Sequence, residues 1–193
     1  MLPGFTRLDW SAPLDINAAL TVVPPDVTVR GMFPQGVVDE CVKAGRPLPG
    51  GRRYVGFKGY PVTEFMELCV EASALLFPTA PPRERLRRLG QLAYPTLLQS
   101  MVGKAIFGMV GGKLEAVMKL ASKGYEVSLS RGTATAVEVQ DGSARLHFRD
   151  IYNFLDTYQV GVVEGAMSAC GRTGEVFYRS ISPSEGEMLA QWR

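Results

Sequence analysis

The hydrophobic period of this chain changes once along its length, and that change limits the folds open to it. Up to about residue 124, apolar side chains recur every three or four residues, the spacing of one helix face. From Tyr125 they alternate, the spacing of a strand with one buried face. In the helical part, Pro34 opens a helix through about Ala44, with Val37, Val38, Cys41 and Val42 on its apolar side. Pro61 opens a second helix, whose stripe is Phe65, Leu68, Cys69, Ala72, Leu75 and Leu76. A third begins near Pro82, and Tyr94-Pro95 kinks or ends it. A last helix covers about 112–122 and closes at Gly124. Three strands are then expected, 125–130, 133–140 and 143–150, turning at Arg131-Gly132 and Asp141-Gly142. A helix over 151–170 and strands over 175–182 and 187–192 complete the chain. Helices, a three-strand meander, one helix and a closing hairpin predict an α+β fold with an antiparallel sheet.

A length of 193 residues fits a single domain spanning 1–193. Residues 1–26 read as an irregular lead-in, broken at Val22-Val23-Pro24-Pro25-Asp26. Residues 45–60, rich in Gly, Pro and Arg, read as a surface loop. The formal charge of +2 is too balanced to call for a nucleic-acid partner. No apolar run reaches the ~18–20 residues that cross a bilayer, so no membrane span is expected. The first twelve residues lack the basic-then-apolar order of a secretory signal. Three cysteines, Cys41, Cys69 and Cys170, are an odd number, and two lie in helical patterns. A reducing cytoplasm is the simplest setting for them.

Groups that carry chemistry are sparse. The one histidine, His147, alternates with Arg145 and Arg149 on an expected strand, which places all three on one solvated face. No Ser elbow of the G-x-S-x-G type accompanies it, and the cysteines are too scattered for a zinc site. Gly108–Leu114 fails as a phosphate loop, because Gly108 and Gly112 are four apart and Leu114 stands where a hydroxyl is needed. It reads as a flexible helix junction. The basic run Arg83–Arg88 reads as the solvated face of an amphipathic helix.

Gly161 and Gly165, four apart, share a helix face on which another backbone can come close. Tight internal packing, a subunit contact or room for a ligand are the open readings. Glu164, between them, is a candidate half-buried carboxylate with Arg30, Arg131 or Arg179 as partner. The stripe of the second helix has small Cys69 and Ala72 between large side chains. A gap there makes Phe65, Leu68, Cys69 and Ala72 the candidate ligand-binding residues, unless Leu92 or Met118 fills it. Met66, Met101, Met109 and Met118 are further candidates for an adaptable pocket, with filling core gaps the commoner role.

Four strings are similar to an uncharacterised family of conserved proteins found in many copies in myxobacteria. They are Pro24-Pro25-Asp26-Val27-Thr28-Val29-Arg30-Gly31, Tyr60-Pro61-Val62-Thr63-Glu64-Phe65, Leu89-Gly90-Gln91-Leu92-Ala93-Tyr94-Pro95, and Tyr158-Gln159-Val160-Gly161-Val162-Val163-Glu164-Gly165. The resemblance implies no established activity. More distantly, Leu89-Gly90, Gly124-Tyr125 and the Gly161/Gly165 helix resemble the superfamily of haem nitric-oxide/oxygen-binding domains, vinyl-reductase-like sensors and transport-particle subunits. Haem does not come with that resemblance. The haem branch uses a helical histidine and a Y-x-S-x-R string. Here His147 reads as strand, and Tyr178-Arg179-Ser180-Ile181-Ser182 ends in Ser. The terminal zinc-like cysteine pattern of the sensor branch is missing as well.

The sequence therefore predicts a cytoplasmic, non-catalytic ligand-binding or regulatory module without metal or cofactor, for a small apolar ligand. The alternative is a protein-interaction module, a homodimer with a filled core. An interior cavity of ~300 Å³ or more favours the first. A close-packed core with a large apolar surface patch favours the second.

Overall fold

A computed structural model describes residues 3–108 and 110–193, so Met109 lies outside the described residues. Its helices cover one face of a four-stranded antiparallel sheet, as the α+β reading expects. The hairpin β3 (Thr133–Gln140) and β4 (Ser143–Arg149) turns at Gly142, where a φ of 77° suits glycine. The hairpin β5 (Gly174–Ser182) and β6 (Glu185–Trp192) adds its second strand to β4. On β4 the pleat buries Ala144, Leu146 and Phe148 and turns Arg145, His147 and Arg149 outward.

Two short elements open the chain, α1 (Ile16–Thr21) and β1 (Thr28–Arg30). The lead-in also ties Thr6 to Tyr178 by paired backbone hydrogen bonds, and Phe5 packs with Phe177 and Leu189 on the outer face of the sheet. Three longer helices follow: α2 (Met32–Lys43), α3 (Val62–Leu76) and α4 (Pro82–Gly90). Between α2 and α3 the loop ends in β2 (Gly59–Pro61), which pairs with β1. These elements enclose one hydrophobic cluster, with Phe65, Met66, Leu68, Cys69 and Ala72 fully buried in it.

A second cluster lies between the sheet and α5 (Ala93–Gln99), α6 (Met101–Phe107), α7 (Leu114–Lys119), α8 (Ala121–Ser128) and α9 (Tyr158–Ala169). Pro95 does not end α5 but sits in its first turn, where its missing N–H costs nothing. The break falls earlier, at Gln91–Leu92.

Three expected elements differ. The helix expected over about 112–122 is broken into α7 and α8 at Leu120, and Gly124, expected to close it, lies inside α8. Residues 125–128 are the end of α8, not the first strand of a meander. Four alternating residues satisfy either period, and here they continue the helix that starts at Ala121. The helix expected from residue 151 begins only at Tyr158. Before it the chain turns through Asp150 and Phe154, both at positive φ (56° and 54°). The Ile151 N–H bonds the Ser184 carbonyl instead of starting a helix.

Candidate functional site

Helix α9 is the axis on which the two clusters meet, and glycine sets how closely α4 approaches it. A Cβ on Gly161 would fall on the Arg87 carbonyl oxygen, and one on Gly165 on the Gln91 carbonyl oxygen. Gly90 of α4 answers from the other side, against the Tyr158 carbonyl. The glycine face is thus covered by a helix of the same chain. Glu164 lies beside this seam. Arg87 grips it with Nε to Oε2 at 2.8 Å and Nη2 to Oε1 at 3.0 Å, and Gln91 Nε2 adds 3.0 Å. The three arginines expected as partners are engaged elsewhere: Arg30 with the Phe57 carbonyl, Arg131 with Asp26, Arg179 with Glu187.

The basic run of α4 is correspondingly not a free solvated face. Arg83 pairs with Asp156 at 2.6 Å with only 11% of its side chain exposed, and Arg87 and Arg88 both bond Glu84. Burial pushes the Glu84 carboxyl up, but the hydrogen bonds from Arg88 and Arg87 outweigh it and hold it below the usual glutamate range.

Below the seam, α5 to α9 and β4 line a cavity of about 100 Å³. Leu97, Phe107, Val117 and Met118 come from the helices α5 to α7; Leu146 and Phe148 from the sheet; Tyr158, Val163 and Ala166 from α9. Val29, Phe33 and Phe65 reach in from the first cluster. Edge-to-face aromatic pairs brace the walls: Phe65 with Tyr158, Tyr94 with Phe107 and Tyr125 with Phe148, each 5.7 Å between centroids. No charged side chain is among the described lining residues.

One wall is polar. The Tyr125 hydroxyl donates to Gln159 Oε1, and Gln159 Nε2 donates to Asn153 Oδ1 at 2.7 Å. Asn153 and Gln159 are buried, 5% and 3% exposed. Burial pushes the phenols of Tyr94, Tyr125 and Tyr158 well up, so all three stay protonated at neutral pH.

Of the four candidate ligand-binding residues on α3, Phe65 lines this cavity; Leu68, Cys69 and Ala72 lie in the first cluster instead. Burial raises the Cys69 thiol well above its usual range. Met118, expected as a gap filler, lines the cavity, while Leu92 borders a smaller void of about 10 Å³ against α2. Met66 is wholly buried and Met101 is 87% exposed. His147 faces away from the cavity on the outer sheet face, with Nε2 2.9 Å from Glu185 Oε1. Sequence reasoning missed Tyr125, Asn153 and Gln159. Gln159 alone had a local signal, a long polar side chain in a helix otherwise apolar nearly all round.

The family model described as "Protein of unknown function (DUF2378)" matches residues 22–193. The chain belongs to the DUF2378 family. No curated protein matches this DUF2378 chain. Among solved structures it is similar to an H-NOX protein from S. oneidensis in the Fe(II)NO ligation state, at TM-score 0.65 and 13% identity, covering 85% of this chain and 99% of that one. An Fe(II) unliganded H-NOX protein from K. algicida matches at TM-score 0.62 and 12% identity, over 85% and 96%. An oxygen-binding H-NOX domain related to soluble guanylate cyclases matches at 0.59 and 13%, over 84% and 92%. At such identities the likeness is one of fold. No described helix is long and apolar enough to cross a membrane.

Proposed function

We propose that this DUF2378 protein is a non-catalytic ligand-binding sensor module whose cavity takes a compact, uncharged, mostly apolar molecule. The observation that carries this reading is the cavity itself, about 100 Å³ with apolar walls at the meeting of two cores. Close-packed interiors rarely keep such space, and a dry apolar cavity of ~150 Å³ is enough for benzene or xenon. The H-NOX likeness supports the class, since those structures are described in NO- and oxygen-bound states. The volume falls short of the ~300 Å³ set above as favouring a ligand module, so this reading extends only to a ligand well below drug size.

Haem does not fit these residues. The macrocycle belongs to the larger ligand class, the walls present neither histidine nor cysteine, and the three phenols are held protonated. Among the described residues the lining also offers no cation for propionates.

The interaction-module alternative has one observation of its own: Phe57 and Met101 are 81% and 87% exposed. Titration with benzene, read on the methyl signals of Leu97, Val117 and Leu146, separates the two. The ligand reading expects saturable shifts confined to these methyls and lost in Val163→Phe. A filled, unresponsive core contradicts it.

A further inference from the structure

Three voids stand in a row from the cavity to the surface, and neighbouring voids share walls. Phe33, Ala93 and Tyr158 line both the cavity and the small void of about 10 Å³ beside it. Gly36, Glu40 and Thr96 line both that void and a groove of about 260 Å³ between α2 and α5. Phe33 and Gly36 lie one turn apart on α2, as Ala93 and Thr96 do on α5. The neck between cavity and groove is thus about one helical turn deep, ~5.4 Å. Glycine sets its width: a Cβ on Gly36 would stand 2.6 Å from Thr96 Cγ2. Half-buried Phe33 flanks the inner end.

Polarity rises along the row. No charged side chain is among the described residues of the cavity wall, Glu40 borders the neck, and Gln35, Asp39, Glu40, Lys43 and Gln99 line the groove. An apolar interior behind a polar mouth matches a molecule with one apolar and one polar end, because neither end is then buried against its nature.

We propose that cavity, neck and groove take one molecule, a single-chain amphiphile with a short alkyl tail and an uncharged hydroxyl head. The tail runs through the neck to Leu97, Val117 and Leu146, and the head stays in the groove. This rests on the ligand-site reading above and adds the head group and the way in. The charge of the groove argues against a fatty acid. Two carboxylates face one ammonium there, and Lys43 is already bonded to Glu40 at 2.6 Å. Asp39 is held by the neutral amide of Gln35 at 2.8 Å. An anionic head meets excess negative charge, and a plain hydrocarbon leaves the groove unused.

The test titrates 1-octanol and benzene into the unmodified protein and reads nuclear Overhauser contacts. The terminal methyl of octanol is expected to contact Val117 and Leu146, and its C1 protons the Thr96 methyl. Benzene binding without octanol, or octanol with both ends in one void, overturns the amphiphile while leaving the cavity a ligand site. If neither probe reaches the cavity methyls, the ligand-site reading falls and this inference with it. Gly36→Ala narrows the neck. It is expected to weaken octanol by about tenfold and to leave benzene, which needs the cavity alone, unchanged. Equal effects on the two probes, or none on octanol, contradict the neck. Octanoate at pH 7 is expected to bind about threefold more weakly than octanol, the scale of an exposed like-charge contact. Equal or tighter binding of octanoate overturns the uncharged head.

Discussion

Arg87 and Glu164 meet fork to fork across the α4–α9 seam, with both guanidinium–carboxylate distances at or below 3.0 Å and the side chains 24% and 13% exposed. Burial disfavours the Arg87 charge, and the two carboxylates Glu164 and Glu84 more than offset it. The pair fixes the register of two helices whose backbones touch. Glu164→Ala is expected to cost about 1–3 kcal/mol, the scale of charged hydrogen bonds, as read by urea unfolding. An unchanged midpoint would show the pair to be ornamental.

Acid stability follows from the same cluster. Glu84 titrates below its ordinary value of 4.5 in the folded chain. Its contribution is therefore present above the unfolded value and lost as pH falls through the folded one. Glu84→Gln is expected to flatten the decline of the melting temperature below about pH 4.5. A parallel decline in both proteins contradicts it.

Two glycines should respond in opposite directions. Gly161→Ala places a methyl group on a backbone carbonyl and is expected to destabilise by about 1–3 kcal/mol or more. In Gly124→Ala the new Cβ meets Phe107 at 3.5 Å and Leu97 at 3.8 Å, ordinary contacts. It is expected to stabilise by up to ~1 kcal/mol through helix propensity. Thermal melting decides the sign of each. Sedimentation should show the same oligomeric state for Gly161→Ala and its parent, because α4 of the same chain occupies that face.

Alkaline stability reports the buried phenols. Tyr94, Tyr125 and Tyr158 titrate above their ordinary value of 10.0 when folded. The stability they contribute is complete below the unfolded value and declines as pH rises from about 10 through the folded values. Tyrosinate absorbance should lag for these phenols until the chain unfolds, and Tyr125→Phe should soften the alkaline decline. Early titration of all tyrosines would show the cavity open to bulk water.

The helical stripes and the two hairpins were legible because each is long enough to declare its period: the α3 stripe, Phe65 to Leu76, runs over about three turns, and Asp141-Gly142 marks a two-residue turn. Residues 125–128 were misread because four alternating positions fit either period. The segment 151–157 was misread because Ile151, Phe154 and Leu155 are buried by an irregular chain at helix-like spacing. The cavity was less legible than any element. Its walls come from helices and a strand far apart in the chain, and no local pattern marks Tyr125, Asn153 and Gln159 as one wall. The Gly161/Gly165 spacing did announce a close approach. It could not name α4, because the answering residues Gly90 and Arg87 lie more than seventy positions away.

Crystals pressurised with xenon test the central claim most directly, since xenon needs only an apolar void of sufficient size. The account predicts one strong xenon peak among Leu97, Leu146, Phe148 and Val163, with none beside Cys69 in the first cluster. A structure with no xenon among those four residues, their side chains closed upon one another, would contradict it.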